Sequence, residues 1–389
     1  MYKITAVIPA YNAAFYIEAA LKSIIKQTYH VHEIIVIDDC SQDDTSKIVK
    51  ELASQYHHIQ FFRLNENKGV SHARNFGLKQ ATNNWVLLLD ADDILEPNIV
   101  EKHMYYLNNI GNYSQLALIY SAYRQMDAAG EIIDGIIRGK ELKQKEAFGE
   151  LLVRNLIITP SGLLLNQRFV LEYGNFNESL SSQNEDWDLW LRLSRYSDIG
   201  YIDEPLVRIR RHASNATSTL NIASSLERIV LGQYQLDEIR SAVLQRSYSE
   251  VRNILDYVSM LFRFQKWDEG FVELEYLISA DISEQGSILF LKAVFYINNK
   301  QFESSKSLFE QILQIIPSHG ATLNNLAVLC AIESSFDEAH KFIDNALKLY
   351  PNYIDAKANL HLINANVQDL SSYRFTSREL RPVLLSYEG

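Results

Sequence analysis

Apolar residues alternate between two spacings over the first hundred positions. Lys3–Ile8 reads as a strand ended by Pro9, and from Ala14 to Gln27 the residues Ile17, Leu21, Ile24 and Ile25 fall on one helical stripe. Glu33–Asp38 is apolar almost without interruption, as in a strand covered on both faces, and runs into Cys40–Asp44, where Ser41 or Asp43 can cap a helix carrying Ile48, Val49 and Leu52. Ile59–Leu64 predicts a third strand, Val70–Ala81 a third helix and Trp85–Leu89 a fourth strand, which enters the acidic stretch Asp90-Ala-Asp-Asp93. Such a βαβαβαβ series builds a mostly parallel sheet with right-handed crossovers.

Between about 100 and 220 the pattern mixes. Ala117–Tyr123 and Gly162–Asn166 read as strands, Asp134–Lys145 as a loop or ribbon, and Trp187–Leu193 as two helical turns, without a readable topology. From Ser224 to about residue 366 only helical spacing remains. The domain boundary is expected near 220–250: residues 1–220 form the α/β domain, 221–250 a helical linker, 251–370 a helical domain, and 371–389 an unassigned tail.

The helical part repeats itself. Phe302 and Pro317 recur as Phe336 and Pro351, both 34 residues on, with Leu308-Phe309 and Ile312-Leu313 answered by Phe342-Ile343 and Ala346-Leu347. That period belongs to paired-helix solenoids, where small residues sit at close helix approaches and proline follows a finished helix. Ala327, Ala339, Ala346 and Pro351 in one unit, and Ala293, Tyr296, Phe309 and Pro317 in the other, resemble tetratricopeptide repeats, with Ser305 where alanine is usual; Phe264–Trp267 marks a degenerate earlier unit.

Composition narrows the function classes. The 389 residues carry 37 Lys and Arg against 48 Asp and Glu, a net charge of −11, which argues against nucleic acid as a partner. Two cysteines, Cys40 and Cys330, give neither a thiolate zinc site nor a disulfide framework, as expected in a reducing compartment. The longest apolar run, Leu326–Ile332, is seven residues, so no transmembrane segment or signal peptide is expected. A cytoplasmic protein is the expectation, with peripheral attachment to the inner face of the membrane left open.

Three strand ends carry the chemistry: Pro9-Ala-Tyr-Asn12, Asp38-Asp39 and Asp90–Asp93. Carboxyl ends of parallel strands share one rim, the usual ligand crevice, so five acidic side chains are expected there. Folding gains nothing from such crowding, whereas a divalent cation with hard oxygen ligands, Mg²⁺ or Mn²⁺, would relieve it and carry a diphosphate. The turn after the first strand lacks G-x-G-x-x-G, which counts against a dinucleotide-binding oxidoreductase.

Val7–Asn12, Val36–Thr45, Asn67–Asn75, Asp90-Ala-Asp92 and Asn184–Trp190, in this order, resemble the family 2 inverting glycosyltransferases over roughly residues 3–215. The resemblance implies a GT-A fold, here followed by the all-α tetratricopeptide-like domain, and a metal-dependent enzyme using a nucleotide diphosphate sugar, with a UDP-sugar favoured. It places Pro9, Ala10, Tyr11, Asn12 and Asp39 around the nucleobase, Tyr11 stacking on it or packing on the rim and Asp39 binding it or capping a helix start, while Asp38 supports the turn. Arg74 would reach the nucleotide phosphates or be paired structurally. Asp90, with Ala91 beside it, would reach the ribose or the metal through water, and Asp92 would hold the metal. Asp93 would serve metal or turn.

In Glu185-Asp186 the second carboxylate is implied to be the general base, against the plainer role of a helix N-terminal acid. Trp187 and Trp190 would anchor that helix, with Trp187 also a candidate to face the acceptor. His212, after Arg208-Ile-Arg-Arg211, would approach metal or diphosphate, although its flanking residues depart from the family pattern. The implied acceptor is a hydroxyl on a glycan or lipid-linked saccharide; a polypeptide held by the repeats is the second reading and an inactive binding module the third. The repeats could equally bind a protein partner or make a homodimer contact.

Overall fold

The computed structural model describes residues 2–111, 113–133, 135–180, 184–212 and 229–378, and divides into two compact units, residues 1–246 and 247–389. The first unit opens as its spacing predicts. Strands β1 (Ile4–Ala10), β2 (Glu33–Asp38), β3 (Ile59–Arg63) and β4 (Trp85–Leu88) alternate with helices α1 (Ile17–Ile25), α2 (Thr45–Gln55) and α3 (Val70–Gln80). All four strands run parallel in the order β3-β2-β1-β4, with Ala10 paired to Asp38 and Val7 to Leu88. Every residue of β1, β2 and β4 is buried, which explains why their sequences are apolar with little alternation. α3 approaches so closely that a Cβ on Gly77 would fall 2.4 Å from Val7 Cγ1.

The second half of the sheet changes the expected picture from mostly parallel to mixed. After β5 (Ile94–Leu95) and α4 (Ile99–Asn109) come β6 (Leu116–Met126), α5 (Gln144–Val153), β7 (Leu164–Asn166), α6 (Gln167–Tyr173), α7 (Glu185–Ser194) and β8 (Asp198–Arg210). The full order is β3-β2-β1-β4-β7-β6-β8-β5, with β7 antiparallel to both β4 and β6, and β8 parallel to β6 but antiparallel to β5. The segment read as a linker begins outside the described residues. Its helix α8 (Leu236–Leu244) belongs to the first unit, where α5 lies so near that a Cβ on Gly149 would meet the Ala242 carbonyl at 2.1 Å.

The second unit is helical: α9 (Glu250–Arg263), α10 (Trp267–Glu275), α11 (Ile282–Asn298), α12 (Phe302–Ile315), α13 (Gly320–Ile332), α14 (Phe336–Leu349) and α15 (Ile354–Asn364). Its backbone geometry recurs. Gln265, Lys300, Ser334 and Asn366 all have positive φ, at intervals of 35, 34 and 32 residues. At each, the next N–H returns to a carbonyl five residues back: Lys266 to Leu261, Gln301 to Tyr296, Ser335 to Cys330 and Val367 to Leu362, at 2.8–3.1 Å. These are Schellman turns, which satisfy carbonyls at a helix end. The helix ends at Ile316 and Tyr350, before the two prolines, also match, with φ, ψ of −134°, 80° and −133°, 79°. Ala327, Ala339, Ala346, Phe309 and Ala293, the close-packing positions of the repeat, are all fully buried. Residues 379–389 of the tail lie outside the described residues, and among those described no helix is long and apolar enough to cross a membrane.

Candidate active site

The rim where β1, β2 and β4 end collects most of the expected residues. At the β1 end, Pro9 and Ala10 are buried, Tyr11 is 50% exposed, and Asn12 takes a left-handed φ of 48°. Asn12 is fixed on both sides: its N–H donates to Ser41 Oγ at 2.9 Å and its Oδ1 accepts from Gln42 N at 2.8 Å. Asp38 supports the turn as expected, accepting from Ser41 N at 2.8 Å and from Ser46 Oγ. Asp39 N–H donates to the Ala10 carbonyl, and its two carboxylate oxygens accept from Lys68 N at 2.9 Å and Gly69 N at 2.7 Å. Gly69, at φ 90°, supplies the turn that starts α3.

α3 thereby delivers Arg74 to the rim. Its guanidinium donates to Asp90 Oδ1 at 2.7 Å and Glu185 Oε1 at 2.8 Å, joining the end of β4 to the start of α7. Phe176 lies against it at 5.3 Å, and Asn75, one residue on, clasps the Phe176 backbone through both its amide atoms. Burial opposes the charge on Arg74, but Asp90 and Glu185 outweigh it and hold the group above its usual range. The Arg74 Nε–H has no hydrogen-bond partner among the described residues.

Five acidic residues were expected to face the crevice, and the structure corrects this. Asp38, Asp39 and Asp93 are buried at 0%, 2% and 3% exposure. Asp93 accepts from Ser161 Oγ at 2.5 Å and Arg210 N at 2.8 Å, so it braces the turn, and burial ahead of the charges on Asp92 and Asp90 pushes its carboxyl well above the usual range. Asp90 and Asp92 keep 26% and 27% of their side chains exposed, with the buried Ala91 between them. Asp92 Oδ2 meets His212 Nε2 at 2.9 Å. Burial and then the Asp90 charge raise the Asp92 carboxyl, while His212 opposes the shift.

His212 follows β8 and stacks on Tyr16 with ring centres 5.2 Å apart. The arginines before it are spent on structure: Arg208 pairs with Glu96 at 2.6 Å, Arg211 reaches Gln125, and Arg210 binds the carbonyls of Asp92, Asp127 and Ala128. Ser161, which also accepts from Asp90 N at 3.0 Å, and Arg210 are the two organisers that the motifs did not single out.

Asp186 sits in the first turn of α7, entered through left-handed Asn184. One carboxylate oxygen accepts from Trp187 N at 2.6 Å. Removal from water and the neighbouring Glu185 charge raise its carboxyl to about 7, with Arg74 and the Trp187 N–H pulling the other way. A carboxylate that titrates there can take a proton near neutral pH. Trp187 anchors the helix: its ring is buried and its Nε1–H donates to the Leu151 carbonyl at 2.8 Å.

Asp92 and His212 put one oxygen and one nitrogen donor side by side, donor types that Mn²⁺ or Mg²⁺ accepts, with Asp90 two residues before Asp92. Among the described residues no group of three or more His, Cys, Asp or Glu side chains is arranged as a metal cage.

Residues 5–150 match the family described as Glycosyl transferase family 2. The chain carries a family 2 glycosyltransferase domain. An uncharacterized glycosyltransferase of Rickettsia prowazekii (strain Madrid E) is 30% identical over 217 residues, covering 56% of this chain and 66% of the relative. One from Rickettsia conorii is 31% identical over 222 residues, 56% of this chain and 35% of that protein. Chondroitin synthase of Escherichia coli is 29% identical over 210 residues, 54% of this chain and 29% of the synthase. The chain thus spans between about a third and two thirds of the length of these relatives. A crystal structure of S. aureus TarS 1-349 in complex with UDP-GlcNAc shares the fold, with 16% identity, TM-score 0.50, and coverage of 90% of this chain and 91% of that one. Asp186 and His212 lie beyond residues 5–150, so their place beside Asp90 and Asp92 comes from the geometry of the domain.

Proposed function

We propose that this protein transfers a sugar, with inversion, from a nucleotide diphosphate sugar to a hydroxyl of a glycan or lipid-linked saccharide. The observation that carries the reading is the Asp90–Arg74–Glu185 bridge, which draws a basic carboxylate, Asp186, up to the rim of a family 2 glycosyltransferase domain. Tyr11 and the backbone of Pro9–Asn12 take the nucleoside, with a UDP-sugar favoured; Asp39 shapes that wall through the loop it ties down. Asp90 and Ala91 border the ribose and diphosphate, and the unspent Arg74 Nε–H is a donor at their back. Asp92 and His212 would hold Mn²⁺ or Mg²⁺, which when bound supplies charge stabilisation to the departing diphosphate.

The acceptor oxygen bonds to the anomeric carbon as the carbon–oxygen bond to the diphosphate breaks. The acceptor proton passes to the Asp186 carboxylate, and the nucleoside diphosphate leaves with the bonding pair. One displacement inverts the configuration, and no side chain becomes covalently attached.

The recurrent Schellman turns and buried alanines support reading 251–370 as tetratricopeptide-like repeats. A cytoplasmic location, at the membrane face when the acceptor is lipid-linked, accords with that chemistry. The test is nucleotide release from a panel of nucleotide sugars with and without manganese. Manganese-dependent release that rises with a saccharide acceptor is expected; no release from any donor would leave a nucleotide-sugar-binding module.

A further inference from the structure

The second unit holds three asparagines at 0% exposure, Asn324 and Asn325 on α13 and Asn359 on α15. A buried amide without partners is costly, so what satisfies them is informative. Asn325 Oδ1 accepts from Thr376 N at 2.8 Å and its Nδ2 donates to the Thr376 carbonyl at 2.9 Å. Asn359 does the same two residues earlier: Oδ1 accepts from Arg374 N at 2.9 Å and Nδ2 donates to the Arg374 carbonyl at 2.8 Å. Asn325 and Asn359 are 34 residues apart, the repeat offset. In an extended chain the N–H and C=O of one residue share a side, and residues two apart share the same side. Equivalent positions of successive repeats therefore read alternate peptide units of an extended strand by a pattern that uses backbone atoms alone.

Side chains add a second level. The Arg374 side chain is exposed and makes no demand on sequence, while Thr376 is buried, its hydroxyl donating to Asp355 Oδ2 at 3.0 Å and meeting Tyr353 OH. Asn324 ties the two levels together, donating to the Arg374 carbonyl at 3.1 Å and Thr376 Oγ1 at 3.3 Å while accepting from Asn359 at 2.9 Å. A terminal segment that only covered an apolar helix face would need no paired amides.

We propose that the face shared by α13 and α15 is a binding site for an extended segment of another polypeptide, with a small hydroxyl residue in the Thr376 pocket, and that residues 373–376 are its resident, displaceable occupant. The site is independent of the sugar-transfer reading, since it is defined by peptide binding.

The test uses the unaltered full chain. Trypsin cleavage after Arg374, followed by mass spectrometry, reports release of the resident segment. A synthetic copy of residues 369–378 carrying R374Q, which trypsin leaves intact at that position, should speed this cleavage in a saturable manner, and the same peptide carrying T376V should need about tenfold more. A full-length Thr376→Pro variant, which loses the N–H read by Asn325, should bind the fluorescently labelled peptide directly, with Asn359→Ala in that background weakening it by about tenfold. Cleavage that the peptide never accelerates, together with no binding to Thr376→Pro, would make the segment a fixed cap. A wild-type dimer that Thr376→Pro turns into a monomer would assign the site to tail exchange between copies, and either result overturns the proposal.

Discussion

Two acidic stretches end strands that flank β1, Asp38-Asp39 after β2 and Asp90–Asp93 after β4, and they are spent differently. The first pair is satisfied by the chain itself: backbone N–H groups of Ser41, Lys68 and Gly69 and the Ser46 hydroxyl fill the two carboxylates. In the second, only Asp93 is filled in that way, while Asp90 and Asp92 stay a quarter exposed and answer to an arginine, a histidine and each other. A carboxylate that accepts backbone N–H bonds builds a loop, whereas one left part-exposed at the rim stays open to a cation. The same division recurs in α7, where Glu185 is consumed by Arg74 and Asp186 is left with a carboxyl near 7.

Arg74 holds the reactive side of this contrast together, and its loss should be the largest effect. Arg74→Ala leaves Glu185 buried without its cation, a change that typically costs about 3–5 kcal/mol. Urea unfolding should show a loss of that size together with abolished transfer. Arg74→Lys keeps one charge but not the fork that spans Asp90 and Glu185, and should recover part of the stability. A stable, active Arg74→Ala would mean that the bridge is incidental.

Asp186→Asn should come next. Donor affinity should stay within a few fold while transfer falls by about 10²-fold or more, the usual scale for losing a general base. A parallel loss of donor binding would move Asp186 to the donor side. On the structural side of the contrast, Asp39→Ala should cost roughly 1–3 kcal/mol of stability, since the N–H groups of Lys68 and Gly69 lose their acceptor. If Asp39→Asn left stability intact and weakened nucleotide binding instead, the division between loop-building and reactive carboxylates would fail at that residue.

The sequence carried the parallel half of the sheet because β1, β2 and β4 bury every residue, and a short, mainly apolar run ended by Pro9, Asp38 or Asp90 has few other readings. It did not carry β5, β7 and β8 as a topology, since their pairings join residues as distant as Ile94 and Arg208. α5 buries Gly149 and Glu150 along with its apolar residues, so its stripe is blurred. Of the residues in the proposed site, Asp90, Asp92, Asp186 and His212 stand out in the sequence by type and order. Ser161 and Arg210 were not, because a serine in a loop and an arginine in a basic run acquire their role only when the fold sets them on Asp93 and the Asp92 carbonyl. The Schellman turns were hidden for a related reason: Gln265, Lys300, Ser334 and Asn366 occupy the left-handed position where glycine would have announced it.

The smallest effect is the one that separates Asp186 from its neighbours most cleanly. Its carboxyl stands at about 7 in the folded protein against an ordinary 3.8, so between those values the folded chain holds a proton that the unfolded chain has released. Stability from this group is therefore fully present at low pH, declines as pH rises from about 4, and settles at a constant cost above about 7. Asp186→Asn removes that cost because the amide never ionises. At pH 8 the variant should be more stable than the wild type by about 1–2 kcal/mol, a fraction of the full linkage value because the side chain keeps some water, and the gap should shrink as pH falls to 5. Thermal unfolding of both proteins across that range reads it directly. The transfer rate of the wild type should rise through the same midpoint near 7, because only the deprotonated carboxylate accepts the proton of the acceptor. A rate that rises through 7 with no stability gap would place the base on another group, and a gap without the rate limb would leave Asp186 as a strained helix-start acid that takes no part in transfer.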